Sequence, residues 1–545
     1  MTSIHLGTAN DTGAAIELTE EDLRTHVHGI GKSRTGKSKL IESIARDLIL
    51  DRQGFCLIDP HGSVYEPLVE WLAYISVAYR TPREDIILFD PSSRSRVVGF
   101  NPFKRYQGDP AVQAKNLVSA TTRVWGSLTA IDTPRLSRWL RNLFRLLLEL
   151  DLPIDVARYL LVFDDADEAV RHHLVGRLPD GLTKQQWTRL LKRKPDDFDN
   201  LTESSLNRIF EYLDGEQVRR ILNAAQTINV EDIIESGKVL LVNLQPARGL
   251  FAEEDARLIG TLLLNEIWDV AIGRKTNIEK PEPWFVFIDE FQKFLTPTMH
   301  GMLDEVAKRG IHLFMFHHNL KQVGGPDDGL GTSVMQQADA RLVFGGLTRD
   351  DALTMVGELF TGQIDRTEVK DIIEETYAWP VVERDENVTI SQARRPNPVE
   401  GEDDIVTETE ARSDIRATGY EERTRDRLVY KDHGEILWDL ADRLKLQYQR
   451  HFFVQRPGKP TIAAITPFVE SFSVSPKRRE AFIETLLAGF PTPAEVDAHL
   501  EELHARLRGA AASPSVSTPA RSGKPARRKP PRDPDEPWEE PPPVV

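Results

Sequence analysis

Eight consecutive residues, Gly31-Lys32-Ser33-Arg34-Thr35-Gly36-Lys37-Ser38, match the pattern G-x-x-x-x-G-K-[ST] in full. A polyphosphate needs successive backbone N–H groups to wrap it, and glycines where a Cβ would clash or φ must be positive. A helix beginning at the end of such a loop aims its positive end at the phosphates. Lys37 is then expected to neutralise the β and γ oxygens, and the Ser38 hydroxyl to take a Mg²⁺ position. Further along, Trp284-Phe285-Val286-Phe287-Ile288 runs apolar and ends in Asp289 and Glu290. In that chain order Asp289 is placed to hold Mg²⁺ through its water shell, and Glu290 to orient or deprotonate an attacking water. The pair of signals reads as a Mg²⁺-dependent ATP hydrolase. A third apolar run, GIHLFMFHH, ends in His317, His318 and Asn319, and His318 or Asn319 is placed to sense a γ-phosphate. The histidine pairs His26/His28 and His172/His173 have no further ligand at metal spacing and read as structural or solvated.

These residues need a scaffold of strands whose ends meet. THVHGIGKSRTGKSKLIESIARDLIL reads as a short strand, a glycine-rich turn and a helix with Leu40, Ile41, Ile44, Ala45 and Leu48 on one face. GFCLIDP, DIILFDP (85–91), KVLLVNLQP (238–246), WFVFIDE, GIHLFMFHH and ARLVFGG (340–346) are apolar runs of the kind buried in parallel sheets. Strands alternating with helices point to an α/β fold with a RecA-like, mostly parallel sheet flanked by helices. Between these runs the texture turns helical, as in RLSRWLRNLFRLLLEL and SSLNRIFEYLDGEQVRRIL. The expected organisation is a lead-in (1–24), a first part of the ATPase domain (25–105), an all-α insertion (106–225) and a second part (226–380). A charged flexible excursion (381–426) follows, then a closing part with a hairpin at 452–467 (427–508) and a disordered Pro-rich tail (509–545).

Composition sets limits on partners. Hydrophobic residues at 40% and charged residues at 28% fit a soluble globular chain. The formal charge of −16 argues against coating nucleic acid by bulk attraction but leaves room for a locally basic channel. A single cysteine, Cys56, excludes an internal disulfide and a cysteine-based structural zinc site, and fits a reducing compartment. No stretch approaches the roughly 20 apolar residues of a membrane span, so a cytoplasmic protein is expected, held at the inner membrane only through a partner.

Several segments together resemble the HerA/FtsK-type P-loop motors, and most closely the TraG/TraD-like type IV coupling proteins of conjugation. They are GIGKSRTGKS (29–38), FCLIDPHGS (55–63), KVLLVNLQPARG (238–249), FVFIDEFQKF (285–294), GIHLFMFHHNLKQV (310–323) and ARLVFGGLTRDDA (340–352). The resemblance implies a homo-oligomeric ring, usually a hexamer, with ATP between neighbours and DNA drawn through a central pore. It gives Lys37, Ser38, Asp289 and Glu290 the ATPase roles and brings Asp59 near the site. The family commonly carries a glutamine where His318 stands. It often has an arginine after the phenylalanine matched by Phe344, where this chain has Gly345, so the trans-acting arginine falls to Arg309, Arg341 or Lys308. Coupling proteins also usually carry an N-terminal membrane anchor; none is read here, so an anchorless relative is expected.

DNA in a pore would be gripped by Lys and Arg on its phosphates rather than read by base. Basic clusters at KRKP (192–195) and Arg219-Arg220 read as solvated faces. The tail's basic block (Lys524 to Arg532) is largely cancelled by the acidic block beside it (Asp533 to Glu540). Three functions are consistent with these residues. The first is a coupling-type DNA translocase with a relaxase or secretion-channel partner. The second is a HerA-like processing or defence motor with a nuclease partner, and the third an ATP-dependent docking scaffold that moves no DNA.

Overall fold

The computed structural model describes residues 3–76, 85–105, 108–124, 133–274, 282–294, 303, 305–324, 329–365 and 367–512. Its strands are β1 (Ile4–Ala9), β2 (Ala15–Leu18), β3 (Val27–Ile30), β4 (Phe55–Asp59), β5 (Ile86–Phe89), β6 (Val239–Asn243), β7 (Trp284–Ile288), β8 (Ile311–His317), β9 (Ala340–Phe344), β10 (Val369–Arg395), β11 (Ile405–Tyr430), β12 (His451–Gln455) and β13 (Ile462–Ile465). Eleven of them form one sheet in the order β2-β1-β13-β12-β9-β3-β8-β7-β4-β6-β5. From β9 to β5 every neighbouring pair is parallel, and from β9 outward through β12, β13, β1 and β2 every pair is antiparallel. The strands β3, β4, β6, β7 and β8 are buried at every position, as continuous apolar runs covered on both faces must be.

Strand order decides where the chemistry falls. Helix α1 (Lys37–Leu50) carries the chain from β3 past β8 and β7 to β4. The crevice at the carboxyl ends of β3, β8, β7 and β4 is therefore a topological switch point, the usual ligand position in open α/β sheets. Leu40, Ile41, Ile44, Ala45 and Leu48 are the buried stripe of α1. Helix α2 (Tyr65–Ile75) follows β4 and buries Leu68, Val69 and Leu72.

Two expectations need correction. Residues 1–24 are not a lead-in: β1 pairs with β13 and β2 with β1, and Ile4, Leu6, Ile16 and Leu18 are buried in the sheet. Residues 381–426, expected to be a charged flexible excursion, lie within an antiparallel ribbon of β10 and β11, registered from Ile372↔Leu428 to Arg395↔Ile405. Low bulk hydrophobicity hid the β-branched and aromatic residues interspersed among the charges. Opposite charges meet across the ribbon (Arg425 to Glu375, 3.0 Å), and arginines cover rings (Arg423 over Trp379 and Arg425 over Tyr377, both 5.1 Å).

Between β5 and β6, the regular elements among the described residues are helices, packed around Trp139 and Trp187 (ring centroids 5.2 Å apart). The C-terminal helices strap this region to the sheet. Pro476–Leu487 packs on α2 and β5, and Pro493–Ala512 packs on the helices Glu168–Arg177 and Glu216–Asn223. This last helix includes Gly509 to Ala512, and the rest of the expected tail, 513–545, lies outside the described residues. Among the described residues no helix is long and apolar enough to cross a membrane.

The strap is anchored by a buried carboxylate. Asp155 accepts hydrogen bonds from His504 Nε2 (2.6 Å), Arg219 Nε (2.9 Å) and Arg158 Nη2 (3.1 Å), and Tyr159 donates its hydroxyl to His504 Nδ1 (2.8 Å). Burial alone would raise the Asp155 carboxyl, but the hydrogen bond from His504, the charge of Arg158, and the hydrogen bond and charge of Arg219 outweigh it and hold its pKa at about 2. A depressed carboxylate contributes stability that is complete above the unfolded value of 3.8 and is lost as pH falls through about 2. Asp155→Ala, which strands three donors, is expected to cost about 3 kcal/mol. Urea denaturation and limited proteolysis should show a lower midpoint and early cutting within 493–512; an unchanged midpoint would contradict the anchoring role.

Candidate nucleotide site

The loop between β3 and α1 is held from three sides by backbone. Gly31 donates to the His317 carbonyl (3.3 Å), Lys32 to the Gly345 carbonyl (3.1 Å), and Arg450 donates to the Thr35 carbonyl (2.8 Å). Two glycines have no alternative. A Cβ at Gly31 would sit 2.5 Å from Phe344 Cβ; Gly36 has φ 122°, and its Cβ would sit 3.2 Å from the Arg450 backbone. Helix α1 starts immediately after and has no acidic residue in its first turn, so its positive end is left for an anion.

Lys37 is almost wholly buried, and its ammonium donates to the carbonyls of Gly31 and Lys32 (3.1 Å for the second); His318 Nδ1 stands 3.2 Å from the ammonium and donates to the Gly31 carbonyl (3.2 Å). Burial lowers its pKa to about 8, against the opposing pull of Asp289 and Glu290. The lysine therefore rests on its own loop's carbonyls, within reach of the space where phosphate oxygens would replace them. Ser38 Oγ donates to Asp289 Oδ2 (3.1 Å), which brings the two expected cation ligands together across the crevice. Burial and the neighbouring Asp59 raise the Asp289 carboxyl, with Lys37 opposing. A divalent cation between Ser38 and Asp289 would fit this donor set, since hard oxygen ligands suit Mg²⁺.

Glu290 follows at φ 56°, a left-handed conformation that a glutamate holds only where its surroundings fix it. Its carboxylate is gripped by His318 Nε2 and Gln292, with His61 Nε2 at 3.9 Å. Burial pushes its pKa up, but the hydrogen bond and charge of His318, with Gln292 and His61, bring it below the ordinary value. The same bond raises His318, against its burial. Together Ser33, Arg34, Gly36, Lys37, Ser38, Lys39, His61, Ser63, Asp289, Glu290, His318 and Gln449 line a cavity of about 390 Å³.

The other expected residues fall as follows. Asp59 does not face the cavity: its carboxylate caps the turn into α2, accepting from the N–H groups of His61, Val64 and Tyr65. Asn319 caps the turn Leu320–Val323 by accepting from Gln322, which leaves His318 as the strand-end residue whose side chain meets the loop. Arg309 stands before β8, at the far end of the strand from His317, and donates to the Ile272 and Arg274 carbonyls (2.8 and 2.6 Å). Arg341 is engaged by Gln455, Met335 and Glu358, and Lys308 by Glu305; none of the three lines this chain's cavity. His26 bonds Leu303 and Leu313 in the core, and His28 meets His317 at 2.5 Å, both buried and held uncharged by burial. His172 sits exposed beside Glu168, and no group of metal ligands occurs among the described residues. Of the basic clusters, Lys192 to Lys194 is exposed, whereas Arg219 and Arg220 are engaged by Asp155 and Asp497. Sequence reasoning missed His61, Gln292 and Gln449. The first lay in view in the Asp-Pro-His-Gly loop, the second two residues past Glu290, and the third carries no local signal.

A phosphate loop leaving the middle of a parallel sheet, faced by a strand-end Asp-Glu pair one strand beyond its neighbour, defines the P-loop ATPase fold. No protein-family model and no curated protein matches the chain. Among solved structures it is similar to the bacterial conjugative coupling protein TrwBdeltaN70 in its unbound monoclinic form, with 12% identity over 87% of this chain and 91% of that one, at TM-score 0.51. The trigonal form of that protein in complex with sulphate aligns with 11% identity over 87% and 96%, at TM-score 0.51. Plasmid coupling protein TrwB in complex with ADP and Mg²⁺ aligns with 11% identity over 87% and 96%, at TM-score 0.50. At this identity the likeness establishes a shared fold: the chain is built as the coupling protein TrwB is built.

The His318–Glu290 pair gives a signed pH dependence. The histidine's contribution is complete below 6.5 and lost as pH rises through its raised pKa; the glutamate's is complete above 4.5 and lost as pH falls through its lowered one. His318→Gln keeps a neutral hydrogen bond and removes the charge. Its stability deficit is expected to be about 1 kcal/mol at most, to peak between pH 4.5 and 6.5, and to shrink above that window in thermal melts. A deficit independent of pH would rule out the charged pair.

Proposed function

We propose that this protein is an ATP-hydrolysing motor of the coupling-protein kind, using Mg²⁺ and working as a ring of copies, a hexamer in the expected form, that moves DNA through its centre. The observation that carries the reading is the meeting of Lys37, Ser38, Asp289 and Glu290 at one crevice, with Ser38 and Asp289 in direct contact. The TrwB complex with ADP and Mg²⁺, which shares this fold, supports ATP and Mg²⁺ as the ligands.

In this reading Lys37 exchanges the Gly31 and Lys32 carbonyls for the β- and γ-phosphate oxygens. The loop amides and the start of α1 hold the remaining negative charge. Ser38 and Asp289 would hold Mg²⁺, which when bound supplies further neutralisation of the phosphate oxygens. Glu290 is kept ionised by His318 and stands at the strand end, ready to accept a proton from the attacking water. His318 touches both Lys37 and Glu290, so a γ-phosphate that draws Lys37 away changes the partners of the general base. The trans-acting arginine would come from a neighbouring copy, where Arg309 remains the expected donor. The ring would be cytoplasmic, reaching the inner membrane only through a partner.

Steady-state hydrolysis with and without DNA tests the proposal. Lys37→Ala should abolish turnover, and Glu290→Gln should lower kcat by about 100- to 10,000-fold while nucleotide binding persists. DNA should accelerate the wild type. Normal hydrolysis in Lys37→Ala would refute the site, and turnover indifferent to every DNA length and strand type would refute the motor.

A further inference from the structure

The end of the phosphate loop away from Glu290 is roofed by a late segment of the chain. Gln447 donates its amide to the Val343 and Leu444 carbonyls (3.1 and 2.9 Å), which fixes the start of the segment against β9. Arg450 then turns left-handed (φ 71°), donates its N–H to Thr35 and its guanidinium to the Thr466 carbonyl, and covers Gly36 with its backbone. A non-glycine residue held in that conformation by three separate contacts is a positioned turn. Between these two anchored residues, Tyr448 is 80% exposed and Gln449 lines the cavity with Gly36, Lys37 and Lys39. Gln449 is exposed at this rim of the cavity, so its side-chain amide is open to solvent and to a ligand.

A triphosphate seated in the loop has a direction. Its γ end belongs with Lys37, Asp289, Glu290 and His318, so its α end and the sugar leave over Gly36 and Lys39, under Gln449. We infer that Gln449 recognises the nucleoside half of the bound nucleotide. Its amide offers both a donor and an acceptor, the pair needed by ribose hydroxyls or by a base edge, where neither phosphate nor cation has anything to bond to its N–H₂ and C=O together. This inference rests on the nucleotide reading of the site and adds to it the residue that distinguishes a nucleotide from a bare polyphosphate.

Calorimetric titration of the full chain with Mg²⁺ plus adenylyl-imidodiphosphate, ribose triphosphate or inorganic tripolyphosphate tests it. Gln449→Ala should bind adenylyl-imidodiphosphate about 3- to 10-fold more weakly than the wild type, as loss of a ligand hydrogen bond implies, with tripolyphosphate affinity unchanged. A loss shared by ribose triphosphate assigns the contact to the sugar, and a loss absent there assigns it to the base. No loss for adenylyl-imidodiphosphate, or an equal loss for tripolyphosphate, would overturn the assignment. A wild type that takes up none of the three ligands would instead overturn the nucleotide site itself.

Discussion

A lysine ammonium and two carboxylates are confined together at the ends of parallel strands, and the rest of the site is arranged around that confinement. Lys37, Asp289 and Glu290 are all nearly inaccessible to water, where an unpaired charge is costly. Each is compensated by a group that a nucleotide would replace or rearrange: loop carbonyls for Lys37, the Ser38 hydroxyl for Asp289, His318 for Glu290. The fold supplies the confinement through strand order. β8 lies between β3 and β7, so the loop after β3 and the acids after β7 reach the same crevice from either side of His318.

The sheet and the chemistry were legible in the sequence to unequal degrees. The buried parallel strands announced themselves because each is a continuous apolar run, and the phosphate loop because its glycines are demanded by close backbone contacts at Gly31 and Gly36. The Asp-Glu pair was legible from its place at the end of such a run. The antiparallel edge was not. β1 and β2 are short, half-apolar and separated by a polar turn, so they resemble a loose terminus until β13 pairs with them. The ribbon of β10 and β11 defeated composition because it is held by a backbone ladder joining two separate segments residue by residue, a relation that no window along one strand contains.

Long-range supports were hidden for the same reason. Gln449 and Arg450 stand over a loop that lies some four hundred residues earlier in the chain, and the contact is made largely by backbone, which side-chain pattern does not record. Asp155 draws His504 across a similar distance in sequence. Asp59, by contrast, was visible as a strand-end acid, but its carboxylate is spent on the turn into α2. Type and place gave its neighbourhood, and only the hydrogen bonds gave its task.

The placement of β3 also governs the order in which the protein can be completed. Its two partners, β8 and β9, are translated long after it, and the Arg450 backbone that closes over Gly36 comes later again. A chain emerging from the ribosome therefore exposes its glycine-rich turn with neither flanking strand in place throughout the synthesis of the helical insertion. Such a nascent chain is left with apolar strand edges open to solvent, the condition under which chaperone capture competes with folding. The phosphate loop is therefore fully enclosed by its backbone partners only near the end of translation.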